Sequence, residues 1–103
     1  MNMPSRPHDI TVMELLREDP LLAREYLAVA MEEVDEVGGQ QALLAALRHV
    51  AEVQGMAAVA ERAGIPRESL YRALSPNGNP TMKTLFAVLE AAGLKLSVSR
   101  AAA

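Results

Sequence analysis

The chain has no cysteine and no tryptophan, and its aromatic side chains are one phenylalanine and two tyrosines. Without cysteine there are no disulfides and no thiolate metal sites, which fits a reducing compartment. With so few aromatics, the core falls to Leu, Val, Ala and Met, a set suited to packed helices. No apolar run approaches the roughly twenty residues of a membrane span, and the opening MNMPSRPHDI lacks the apolar stretch of a signal peptide. These absences lead to the expectation of a soluble cytoplasmic protein with no membrane contact. What remains, 103 residues of which half are apolar, can form one domain with a modest core, or a small domain plus an arm.

Positive charge is also in short supply, with a net of −3, but it is unevenly spread. Residues 1–54 hold ten acids against Arg6, Arg17, Arg24 and Arg48, a balance of −6. Residues 55–103 hold Arg62, Arg67, Arg72, Lys83, Lys95 and Arg100 against three acids, a balance of +3. A basic surface attracts phosphate through counterion release, and an acidic one is repelled by it. The acidic half therefore faces away from nucleic acid or toward a basic protein.

The run from Gly55 to Leu74, GMAAVAERAGIPRESLYRAL, reads as two short helices joined by a glycine turn. Ala60 is small enough to let the helices approach closely, and Gly64 supplies a position where positive φ costs nothing. Ile65 points inward, and Pro66 has the φ that a first helical turn requires. Val59, Ala63, Leu70 and Leu74 recur as a shared apolar face, leaving Arg67, Glu68, Ser69, Tyr71 and Arg72 outward. This is the pattern of a helix-turn-helix, whose second helix offers its N-terminal residues to base edges in the major groove.

Around this pair, Pro4 and Pro7 mark residues 1–10 as a flexible lead. A short helix is predicted from about Thr11 to Glu18, and another, capped by Asp19 before Pro20, to about Glu36. Together they make residues 11–37 an N-terminal helical extension. Gln40 to Val53 form a helix that Gly55 closes, and the loop SPNGNP at 75–80 precedes a last helix, Met82 to Ala92, with Thr81 as N-cap and Gly93 as stop. Leu94, Leu96 and Val98 alternate with polar residues as a short strand. Such a strand has no partner in this chain, so pairing with its copy in a homodimer is expected. Residues 38–99 form the main domain and 100–103 a frayed tail.

The arrangement from Gln40 to Ser99 resembles the lambda-repressor-like, Xre-type helix-turn-helix domain. Within it RESLYRAL at Arg67 to Leu74, GNPT at Gly78 to Thr81 and TLFAVLEAAGL at Thr84 to Leu94 resemble the HigA-like addiction-module antidote family, as does DPLLAREYLAVAMEE at Asp19 to Glu33. The resemblance implies an all-α fold: a lambda-repressor-like bundle with the N-terminal extension and the short C-terminal strand. It also implies the antitoxin of a type II toxin–antitoxin module, which neutralises a RelE- or HigB-like toxin and represses its own operon as a sequence-specific DNA-binding dimer. Half-sites of such a dimer lie about 34 Å apart. Pro66 departs from the Ser or Thr N-cap common in the family, which removes a side-chain cap.

Carried over by position, Arg67, Glu68 and Arg72 fall where related repressors read bases, Arg as a fork to guanine and Glu as an acceptor from cytosine. Ser69 and Tyr71 fall near the DNA backbone. Asn79, Thr81 and Lys83 at the start of the last helix, and the amides of Met56 and Ala57, lie where helix N-termini attract phosphate. The plainer alternative is a solvated face with i, i+4 pairing of Arg67 with Tyr71 and Glu68 with Arg72, and simple capping by Thr81. Tyr26 and the acidic cluster Glu32, Glu33, Asp35 and Glu36 are candidates for docking a basic toxin, against the alternative of a solvated surface. His8 and His49 lack a second ligand at metal spacing. No nucleophile–base arrangement, nucleotide loop or metal cluster appears, so no catalytic residue, metal or cofactor is expected and the chain reads as a non-enzyme. Two other functions fit the same residues: a phage-type or stand-alone Xre repressor without a toxin, and a protein-interaction module on a helix-turn-helix scaffold.

Overall fold

The computed structural model describes residues 7–101, and side chains from Ile10 onward; residues 1–6 of the expected lead and the side chain of His8 lie outside these bounds. The described chain is all-α, with six helices: α1 Pro7–Glu18, α2 Leu22–Glu32, α3 Gly39–Gln54, α4 Met56–Ala63, α5 Arg67–Ala73 and α6 Met82–Ala91. Among the described residues no single helix is long and apolar enough to cross a membrane.

Glycine and threonine set most of the boundaries. Gly55 takes φ 100° and lets the chain turn by 106° between α3 and α4. At Gly64, φ 69°, the amide of Gly64 donates to Glu61 O and that of Ile65 to Ala60 O, both at 3.1 Å. Gly93, φ 74°, repeats the pattern, donating to Glu90 O while Leu94 donates to Leu89 O. Both are Schellman ends, in which the residue after the glycine folds back and packs on the helix it terminates. Thr81 caps α6 as expected, its Oγ1 accepting from the Thr84 amide at 3.1 Å.

Four boundaries differ from the sequence expectation. Helix α1 begins at Pro7, earlier than Thr11, because a proline at a first helical position sacrifices no bond. Asp19 does accept a backbone amide, that of Leu21 at 3.1 Å, but the regular helix starts only at Leu22. Helix α2 stops at Glu32 rather than near Glu36: residues 33–38 form a turn in which Gly39 packs so closely on the carbonyls of Glu33 and Val34 that a Cβ there would collide with them. Pro66 is the N-cap of α5, extended at φ −60° and ψ 149°, and not its first turn.

The expected strand at Leu94, Leu96 and Val98 is absent: among the described residues there is no strand. Leu94 is drawn onto the core by the Schellman end of α6, whereas Leu96 and Val98 are 44% and 99% exposed. A β-ladder requires a second strand, and the described residues offer none.

One aliphatic cluster holds the helices together. Leu16 of α1 and Ala23 and Leu27 of α2 belong to the same buried set as Ala46, Leu47, Val50 and Ala51 of α3, Val59 and Ala63 of α4, Leu70 and Leu74 at α5, and Val88 of α6. Helix α3 is the hub: α1, α2, α4 and α6 all pack on it. The inward face inferred for α4 and α5 is present: Val59, Ala63, Leu70 and Leu74 are fully buried and Ala60 nearly so.

Candidate nucleic-acid interface

Helix α5 is only seven residues long, too short to persist without tertiary support, so its orientation depends on what holds its two ends. At the start, Pro66 O accepts from the amides of Ser69 at 3.0 Å and Leu70 at 3.2 Å. In the middle, Leu70 points into the core and, just past the end, Leu74 does the same; both are at 0% exposure.

Three devices secure the far end. The Arg48 Nη1 of α3 donates to Leu74 O at 3.0 Å, placing a cation where α5 leaves its carbonyls unpaired. Ser75 Oγ donates to Arg72 O at 2.7 Å. Gly78 lies flat against the last turn, where a Cβ would collide with Ala73 O. None of the three was visible as a site residue in the sequence. Arg48 and Leu74 are 26 positions apart, and no local spacing rule couples them.

With its inner face pinned, α5 exposes Arg67, Glu68, Tyr71 and Arg72, while Ser69 is half-buried. Among the described residues Arg24 and Glu25, both exposed, form an ion pair at 3.7 Å. The guanidinium groups of Arg67 and Arg72 and the Glu68 carboxylate make no hydrogen bond or ion pair there, so the i, i+4 pairings of the alternative reading are not formed.

The remaining nucleic-acid candidates are distributed over neighbouring elements. Asn79, Thr81 and Lys83 are exposed at the start of α6. Thr81 is occupied by its cap and by a further bond from its hydroxyl to Thr84 Oγ1 at 3.1 Å. Lys83 reaches the α4–α5 turn: a Cβ on Gly64 would lie 3.0 Å from its Nζ. Ala57 is exposed at the start of α4, but the Met56 side chain is buried in the core.

On α2, Tyr26 is half-buried, its hydroxyl 2.6 Å from Nδ1 of the buried His49 and its ring stacked on the imidazole at 6.0 Å between centroids. This pair ties α2 to α3. Glu32, Glu33, Asp35 and Glu36 are exposed at the end of α2 and in the turn after it. Among the described residues no group of acids and histidines could hold a metal ion.

Comparison with known proteins gives this arrangement a family. A protein of Haemophilus influenzae described as uncharacterized is 35% identical over 80 residues, which span 78% of this chain and 82% of that protein. No solved structure matches the chain. The match to probable addiction module antidote proteins runs from residue 5 to residue 100 and so takes in all six helices and both charged ends; the chain belongs to that family.

Proposed function

We propose that the protein is the antitoxin of a type II toxin–antitoxin module, a cytoplasmic non-enzymatic protein that neutralises a RelE- or HigB-like toxin and represses its own operon. In this reading α4, the Gly64 turn and α5 are an Xre-type helix-turn-helix. Helix α5 enters the major groove with Arg67, Glu68 and Arg72 at base edges, and Lys83 and the start of α6 meet the backbone. The observation that carries it is an exposed helix whose two guanidinium groups are unpaired among the described residues, with its inner face buried and its C-terminal end tied to α3 through Arg48. A rigidly held fork of donors is what guanine recognition requires. Family membership supports the toxin partner. A dimer would place two such helices on one duplex, and Leu96, Val98, Met82 and Phe86 are exposed apolar residues available to form it.

The test is binding of the full chain to the DNA upstream of its own gene, followed by anisotropy at low and at physiological salt. The expected result is a sequence-preferring complex that weakens steeply with salt. Arg67→Ala or Arg72→Ala should each cost about 1 to 3 kcal/mol of specific binding with no change in helical content. Absence of any salt-sensitive, sequence-preferring complex removes the DNA assignment.

A further inference from the structure

An open groove of about 290 Å³ runs between α1 and α2, the two helices that pack on α3 ahead of the α4–α5 pair in the chain. Its walls are Val12, Leu15, Leu16 and Leu22, with Tyr26 and Val29 along the α2 side. The Tyr26 hydroxyl is engaged by His49, so its ring is fixed in place and offers carbon to the groove. Leu15 and Val29, on facing helices, are 47% and 52% exposed. Two half-bare aliphatic side chains across an apolar cleft are the form in which a helix from another protein is received.

The rim determines which helix. Residues 10–36 carry eight carboxylates, among them Glu14, Glu18, Glu25 and the Glu32–Glu36 cluster, against Arg17 and Arg24 alone, and every one of these ten side chains is exposed. Glu25 itself lines the groove, and Arg24 is paired to it. A second copy of this chain would bring the same strongly negative surface against itself. We infer that the α1–α2 groove receives the apolar face of a basic amphipathic helix of the toxin, with Leu15 and Val29 as anchors and the surrounding carboxylates pairing its lysines or arginines. This rests on the antitoxin reading and supplies its missing contact surface, which extends well beyond the acidic cluster to the apolar cleft beside it.

The experiment uses the full chain and a fluorescein-labelled helix of about five turns with leucine on one face and lysine on the other, beside a counterpart in which glutamate replaces lysine. The lysine helix should bind the wild type, and roughly tenfold or more weakly the Leu15→Gln, Val29→Gln double variant. The glutamate helix should bind poorly. Because both substitutions are on the exposed rim, the double variant should keep its circular dichroism and melting curve. Glu25→Lys, on a side chain that carries no core contact, should also weaken the lysine helix. Equal binding of the lysine helix to wild type and double variant, or equal binding of both helices to the wild type, overturns the inference. So does a dimer that dissociates on Leu15→Gln, Val29→Gln, which would assign the groove to a second copy. Growth rescue against the toxin encoded beside the gene separates the two readings. If the wild type and the double variant both rescue, the groove assignment fails and the antitoxin stands; if the wild type does not rescue, the antitoxin reading fails while the peptide result still decides the groove.

Discussion

Arg48 lies on α3, away from the exposed face of α5, yet it holds the residue at which that helix ends. Replacing it with methionine keeps the apolar stem and removes the donor. The expected cost is about 1.5 to 3 kcal/mol, since a charged donor would be lost from the carbonyl of the buried Leu74. In a chain of this size that is a fall in melting temperature on the order of 10 °C. Specific DNA affinity should fall as well, although residue 48 touches no DNA in the proposed complex, and melting curves and anisotropy on one preparation would show both. Arg67 and Arg72 were legible in the sequence because they are what is left when Leu70 and Leu74 are assigned inward. Arg48 was not, because its worth comes from a bond to a carbonyl 26 residues away, and carbonyls are invisible to residue type. The same holds for Tyr26, read in the sequence as a toxin-docking candidate, whose hydroxyl is fastened to His49, 23 positions on.

Among elements, the connection between α5 and α6 is the one on which the site leans most. Two substitutions there separate capping from close packing. Thr81→Ala removes the amide acceptor at the start of α6 and should destabilise by about 1 kcal/mol. Gly78→Ala places a methyl into Ala73 O, so the loop or the end of α5 must move, and it should cost more than Thr81→Ala and weaken DNA binding more than it lowers stability. Urea melts of the two variants, with binding measured in parallel, check the ranking. The stops of α3, α4 and α6 were legible from Gly55, Gly64 and Gly93, and the start of α6 from Thr81, each acting through its own backbone chemistry. The other beginnings, and the stop of α2, were less so. Asp19 and Pro66 carry helix-start signals but sit three residues and one residue before the helices they announce, because a proline or a capping residue marks where a start is permitted, not where tertiary packing begins it. The tail pattern of Leu94, Leu96 and Val98 is legible as alternation, but alternation states only that a strand is affordable, and Leu94 is claimed by α6 instead.

At the scale of the whole molecule, α1 and α2 share one core with α3 to α6, so Leu16 and Leu27 cannot leave it without opening the cluster against α3. Thermal unfolding should accordingly be a single transition in which the calorimetric and van't Hoff enthalpies agree, helices α1 and α2 included. A separate early transition that vanishes on Leu27→Ala would show instead that the first two helices melt by themselves. The opposite charges of the two ends were legible by counting along the sequence. The packing of α1, α2, α4 and α6 on α3 was not, since it depends on which faces of that helix the others choose.

The paucity of rings has an optical consequence. With no tryptophan, the protein absorbs little in the near ultraviolet, and its two phenols stand in unlike settings: one held by an imidazole behind α2, the other 45% open to solvent on α5. Emission excited in that band should therefore divide into a half-buried, imidazole-quenched signal and an accessible one, and the accessible one, Tyr71, would report on the surface proposed to meet DNA with no dye attached.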